Sequence, residues 1–304
     1  MSEGRRAVQV VEAGPRDGFQ SVKEYIPFET KLEIVRRICR TGVKKVQLTS
    51  FVSPRAVPQM KDAGDLVAAV LPEFPELELY ALVPNFKGAQ RAAESGLKEI
   101  STVISLSEAH NKANVGKTVE ESLAELDRIL QGLPQLQVEL DIATAFGCPF
   151  LGDIPTERLL ALMDRLYTMG IRSFDLCDTT GMAWPGKVRE VLKQTKAAFP
   201  QARIGLHIHD SRNMGMLNSF VGLEAGADFL QAALGGLGGC PFAPGASGNT
   251  ATEDLVYLLE REGYDTGINF EALLDAARYQ FSQVRGNYSG HHVRMGTCCE
   301  EESN

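Results

Sequence analysis

Two histidines stand two residues apart in the run RIGLHIHD (203–210), His207 and His209. Side chains alternate along an extended strand, so both imidazoles face the same side. A carboxylate able to join them occurs far upstream in GPRDGFQ, where Arg16 precedes Asp17. Asn249, in GASGNTATED, offers a neutral oxygen. Two imidazoles, a carboxylate and an amide make a nitrogen and oxygen set without thiolate. That set suits an octahedral divalent ion, Mg²⁺ or Mn²⁺, with open positions. Zn²⁺ would more naturally recruit cysteine. The plainer alternative is a pair of buried imidazoles that only hydrogen-bond. The HxH spacing at a strand's C-terminal end, with an early Asp available, favours the metal site.

Other residues could act beside it. The Arg16 guanidinium can stabilise a developing enolate oxygen, or can simply pair with Asp17. Cys240, in the glycine-rich run GGLGGCP, could move a proton if its pKa is tuned, or could be a small buried filler. Asp178 closes LCDTTG and Glu253 follows Asn249 in NTATED. His110, in SEAHNKAN, reads as a residue that supports the site from behind or anchors the loop. His291 and His292 read as solvated polar residues. Cys298 and Cys299 are too close together for a closed metal site.

Short β-rich runs alternate with helical stretches throughout the chain. The β-rich runs are 8–13, 44–51, 76–84, 99–106, 137–146, 172–180, 203–210 and 228–234. Each precedes a helical pattern, and several of those helices end in glycine, as in TGVKK, SGLKE, MGIRS and AGADF. Eight β-then-α units imply parallel pairing with right-handed crossovers and match a TIM barrel in count and size. A doubly wound open sheet is the rival, but no GxGxxG follows the first strand. The expectation is one catalytic domain over 1–304, with a barrel over about 8–265. A C-terminal helical extension and a mobile polar tail would follow over 266–304. In such a barrel the active site lies at the C-terminal ends of the strands, where the residues above fall.

The composition is that of an ordinary soluble globular protein, with 44% hydrophobic and 23% charged residues. Lys+Arg 31 against Asp+Glu 39 gives a net charge of −8 with no long basic run, which argues against nucleic acid. No stretch approaches the roughly 20 apolar residues of a membrane span. Six scattered cysteines without a CxxC pair, and no secretory leader, read as reduced thiols in a cytoplasmic protein.

The runs GPRDGFQ, TSFVSPRAVPQM, SEAHNKAN, HIHD and GGLGGCPFAPGASGNTATEDLVYLL resemble 3-hydroxy-3-methylglutaryl-CoA lyases, of the DRE-TIM metallolyase superfamily. The resemblance covers about residues 8–280 and implies a metal-dependent retro-Claisen lyase acting on an acyl-CoA thioester. HMG-CoA would give acetyl-CoA and acetoacetate, the parent activity in leucine degradation. It implies Asp17, His207, His209 and Asn249 as metal ligands and Arg16 as enolate stabiliser. Cys240 would assist proton transfer, His207 would lie against the reacting atoms, and Asp178 would sit near the C3 hydroxyl. Glu253 would support the metal site, Lys23 would lie near the acyl-CoA entrance, and Gln20 and Gln47 would be substrate-binding or supporting positions. A homo-oligomer, a dimer, is the expected assembly.

Two departures stand out. The family usually carries Glu on the second strand, where this chain has Gln47 in VQLTSF. It usually reads Asp-Ser-Ser on the eighth, where this chain has Gln231, Ala232 and Ala233. Both are expected to face or adjoin the pocket, and so admit a lyase for a different 3-hydroxyacyl-CoA. A Claisen-condensing synthase of the isopropylmalate or homocitrate type is disfavoured by the GGLGGCP loop. A non-catalytic acyl-CoA-binding protein is disfavoured by the intact ligand set.

Overall fold

A computed structural model describes residues 5–239 and 248–295. Eight parallel strands close into a barrel: β1 Gln9–Glu12, β2 Lys45–Ser50, β3 Glu78–Leu82, β4 Glu99–Ser105, β5 Gln137–Ala143, β6 Ser173–Asp178, β7 Arg203–Ile208 and β8 Phe229–Ala232. β8 returns to β1 through Gln231 opposite Val11, which completes the ring. The expected eightfold alternation is therefore the observed architecture. The strands are buried on both faces, as parallel strands between a barrel interior and a helical coat must be.

The helices cover the outside with their apolar stripes. Helix Thr156–Thr168 buries Leu159, Leu162, Met163 and Leu166, an i, i+3, i+4, i+7 pattern. Helix Val119–Gly132 opens with a capping box between Thr118 and Glu121, which satisfies two otherwise unpaired backbone donors. Helix–strand packing is close enough in places to leave no room for a side chain on the helix. A Cβ on Gly222 would lie 1.9 Å from a Leu206 methyl, so only glycine lets helix Gly215–Glu224 approach β7.

Three features go beyond the sequence reading. A helix Glu108–Val115 follows β4, capped by Ser107 and ended by Gly116 at positive φ, before the anticipated helix. A two-residue parallel pair joins Arg6–Ala7 to Tyr264–Asp265. The segment after helix Phe270–Gln283 is hydrogen-bonded to the rest of the protein as far as Met295, and the remainder of the polar tail lies outside the described residues. His291 and His292 are correspondingly not merely solvated. Both donate backbone N–H groups to Asp254, and the His292 Nδ1 lies 2.6 Å from its carboxylate. Asp254 sits in the first turn of helix Thr252–Arg261, so the carboxylate fixes the segment to the catalytic end of the barrel. Cys298 and Cys299 lie outside the described residues. Among the described residues no helix is long and apolar enough to cross a membrane.

The barrel interior is polar to an unusual depth. Lys45 pairs with Glu99 and, at 3.0 Å, with Glu139. Above them lie Gln47, Ser101, Asp141, Asp175 and Gln231, all buried.

Candidate active site

At the C-terminal end of β1 the chain makes a tight π-helical turn, Gly14–Gly18. The Asp17 N–H donates to the Ala13 carbonyl at 2.7 Å, which turns the Arg16 and Asp17 side chains over the barrel mouth. A Cβ on Gly14 would come within 2.5 Å of a Glu12 carboxylate oxygen, so glycine is required for the turn to pass. β7 supplies His207, and its continuation supplies His209, on the same face as the strand pleat demands. The backbone of Asn249 pairs with His209 in an isolated antiparallel bridge and brings its amide alongside.

These groups converge. The Nε2 atoms of His207 and His209 lie 3.1 Å apart. They stand 3.9 and 3.8 Å from the Asp17 Oδ2. Together the three offer ligand atoms within 4.8 Å of one another, a group that could hold a metal ion. The Asn249 Nδ2 donates to the Asp17 Oδ2 at 2.8 Å, while its Oδ1 is buried without a partner among the described residues. Turning that amide over would offer the oxygen to the same point. The protonation states suit ligation, which needs neutral imidazole and ionised carboxylate. Burial, reinforced by the neighbouring His209, pushes His207 down to about 3, and burial lowers His209. Burial works against the Asp17 carboxylate, but Arg16, His207 and His209 outweigh it and hold it well below the usual range.

A cleft of about 430 Å³ opens over this cluster. Its wall includes Arg16, Asp17, Gln20, Asp141, Cys177, His207 and His209. Arg16 donates to Asp17 and, through Nε at 2.5 Å, to the Gln47 Oε1. Burial disfavours its charge, but Asp17 and Asp141 hold it firmly protonated.

Gln47 and Gln231 adjoin the cleft from one layer deeper in the barrel. Gln47 donates to the Ser101 Oγ at 2.8 Å, and Gln231 donates to the Tyr80 hydroxyl at 3.0 Å. They reach the cleft through Arg16 and His207. Ala232 and Ala233 are buried small residues. Lys23 is exposed and borders an adjoining hollow that it shares with Gln20, Tyr25 and Gln59.

Asp178 also departs from its expected place near the substrate. It is opposite Ile208 in register, on the outward pleat, and its carboxylate accepts the N–H groups of Met182 and Ala183 at 2.8 and 3.0 Å. It shapes the loop after β6. The inward residues of that strand are Asp175 and Cys177, the latter opposite His207. Cys177 and Asp141 are cleft residues that the sequence reading missed. The period-two pleat of RSFDLCDTT held the signal, because Asp178 and Cys177 must face opposite ways.

Glu253 is fully buried and accepts the Gly235 N–H at 2.9 Å. Burial pushes its carboxyl up to about 8. It fixes the backbone that leads to GGLGGCP, while the Cys240 expectation falls outside the described residues. His110, as expected of an anchor, is buried with Nδ1 at 3.1 Å from the Ser105 Oγ.

Fold and site together define a (β/α)₈-barrel enzyme whose cleft opens on a cluster able to hold a divalent metal. The chain belongs to the HMGL-like family, whose profile matches residues 7–279. It is 39% identical over 276 residues to the hydroxymethylglutaryl-CoA lyase YngG of Bacillus subtilis, covering 90% of this chain and 92% of that one. It is 35% identical over 295 residues to the mitochondrial hydroxymethylglutaryl-CoA lyase of Rattus norvegicus, covering 96% and 90%. An HMG-CoA lyase from Acinetobacter baumannii, in complex with coenzyme A and 3-methylmalate, superposes with a TM-score of 0.92 at 34% identity, covering 99% and 98%.

Proposed function

We propose that this chain cleaves 3-hydroxy-3-methylglutaryl-CoA to acetyl-CoA and acetoacetate, with Mg²⁺ or Mn²⁺ held by Asp17, His207, His209 and Asn249. The observation that carries the reading is the convergence of Asp17, His207 and His209 beneath Arg16 in a cleft of this family's barrel. When bound, the ion supplies Lewis acidity toward the substrate's oxygens and a template for their orientation.

The chain's own residues account for the remaining steps. A base takes the proton of the C3 hydroxyl, and His207, as a ligand on the cleft wall, lies against the reacting atoms. The C3–O bond becomes a carbonyl as the C2–C3 bond breaks, and the electron pair passes to the thioester as an enolate. The Arg16 guanidinium, fixed between Asp17 and Gln47, is oriented before charge develops on the enolate oxygen, the condition under which electrostatic stabilisation is most effective. A proton then returns to C2, and Cys240 is the sequence's candidate donor. The acyl-CoA lies across Gln20, with Lys23 in the adjoining hollow available to the polar part of the thioester.

The test is a product assay on chelator-treated protein given HMG-CoA with and without Mg²⁺ or Mn²⁺. Acetyl-CoA and acetoacetate in equal amounts, dependent on the metal, are expected. Cleavage at full rate without metal would overturn the assignment.

A further inference from the structure

The run TSFVSPRAVPQM carries Gln59, in the short turn Pro58–Met60 that ends the loop after β2. Gln59 is 4% exposed, and both polar atoms of its side chain are engaged. The Oε1 accepts the Ile26 N–H at 3.1 Å. The Nε2 donates to the Val22 carbonyl at 3.0 Å and to the Glu24 carbonyl. All three partners lie in the loop that follows the turn Gly14–Gly18. Among the described residues no backbone–backbone hydrogen bond joins that loop to the loop after β2. The amide side chain of Gln59 takes the place of such a ladder.

The backbone of Gln59 is held from the other side. The Lys31 ammonium, on helix Phe28–Cys39, donates to the Gln59 carbonyl and lies 3.0 Å from both Asp62 carboxyl oxygens. The Tyr25 hydroxyl donates to the same carboxylate at 2.7 Å. Lys31 and Asp62 are both buried, so this pair is not a loose surface contact. Gln59 is thus fixed to the helix through its main chain and reaches the first loop through its side chain.

The two loops it joins form one side of the cleft. Gln20 and Ser21 come from the first, and Val52, Ser53, Ala56 and Val57 from the second. The metal cluster does not depend on the clamp, since Asp17 is held by its own bond to the Ala13 carbonyl. An apolar side chain in place of Gln59 would leave two carbonyls and one N–H of the first loop unpaired, which favours a loop opened to water.

We propose that Gln59 is a positioning residue that locks the loops after β1 and β2 into one wall, so that the cleft is shaped before the acyl-CoA arrives. This rests on the acyl-CoA lyase reading above. Unclamped loops form the wall only part of the time, and the apparent affinity falls by that fraction.

The experiment uses Gln59→Met, of similar length, in the metal-loaded protein. HMG-CoA affinity is read by calorimetry, KM and kcat by acetyl-CoA release, and Mn²⁺ affinity by titration. A wall formed about one-tenth of the time raises both Kd and KM for HMG-CoA about tenfold. Because the reacting atoms are untouched, kcat and Mn²⁺ affinity should stay within about twofold. A purely structural role lowers the active fraction, and hence kcat, and leaves KM alone. That result, or unchanged Kd and KM, overturns the proposal. Gln59→Glu is the second variant. Ionised, it keeps the acceptor for Ile26 and loses the donor to Val22 and Glu24, and the same rise is expected. Should neither variant fold, hydrogen exchange of the ligand-free wild-type protein decides: the Ile26 amide should exchange slowly, and exchange at the rate of an open loop overturns the clamp. About tenfold weaker binding by the variant, with HMG-CoA cleaved by neither protein, would uphold the clamp and overturn the lyase reading instead.

Discussion

Replacing Gln47 by glutamate is the sharpest test of how the layer beneath the cleft is wired. The Gln47 amide accepts from Arg16 and donates to the Ser101 Oγ, which passes its own proton to Asp141. An ionised carboxylate in that position would strengthen the bond to Arg16, since charge-assisted hydrogen bonds are roughly twice as strong as neutral ones, a gain of about 1 kcal/mol. It would also remove the donor to Ser101. The single Ser101 proton would then face two carboxylates, and one buried oxygen would lose its partner at a cost of about 1–3 kcal/mol. The new charge would further oppose that of Asp141, already pushed up to about 7 by burial. The net expectation is a loss of about 1–2 kcal/mol at pH 8, or a drop of roughly 2–8 °C in melting temperature. Below about pH 5 the introduced carboxyl is protonated and can donate as the amide does, and the loss should vanish. Thermal unfolding of both proteins in chelator at pH 5 and pH 8 measures this. A Gln47→Glu protein as stable as wild type at pH 8 would refute the relay through Ser101.

The other predictions concern the metal cluster and its support. Asp17→Ala and His209→Ala should each abolish calorimetric Mg²⁺ and Mn²⁺ binding together with turnover, and full activity in either would sink the ligand assignment. Glu12 accepts from Gly14, Leu234 and Thr252, yet burial raises it from 4.5 to about 7. Because the folded form holds its proton more tightly, stability present at pH 4 should decline as pH rises toward 7, by about 3 kcal/mol from this group. Glu12→Gln should flatten that part of the stability profile, and an unchanged slope in denaturant titrations would count against it. A Cβ on Gly290 would lie 2.6 Å from a Glu253 oxygen and 2.8 Å from the Gly235 carbonyl. Gly290→Ala should therefore displace the glycine loop and weaken metal affinity about tenfold or more, as loss of supporting contacts around a metal site does. Isothermal titration would show it, and unaltered affinity would detach the C-terminal segment from the site.

The barrel was legible in the sequence because its determinants are local. Eight short apolar runs each hand over to a helical period, and glycine caps end the helices. The HxH spacing likewise fixed a shared face for His207 and His209, since the pleat allows no other. The helix Glu108–Val115 escaped because it is short and weakly amphipathic, with only its Ser107 and Gly116 caps to mark it. Asp178 was misplaced for a different reason. Being polar and last in its run told nothing of its face, and Asp178 turned outward while Cys177 and Asp175 turned in.

Local patterning along the chain thus carries the alternation of elements and the residue types able to do chemistry. The tertiary structure alone decided which of them meet. Asp17 and His209 are 192 positions apart, and only closure of β8 onto β1 and the turn after β1 bring their ligand atoms to 3.8 Å. The depth of Gln47 and Gln231, the register pairing of Asp141 with Asp175, and the clamp of His292 on Asp254 are also products of closure. Pleat periodicity says which way a side chain faces. How far down the barrel it sits, and what stands opposite, depends on the stagger between strands that are distant in the chain.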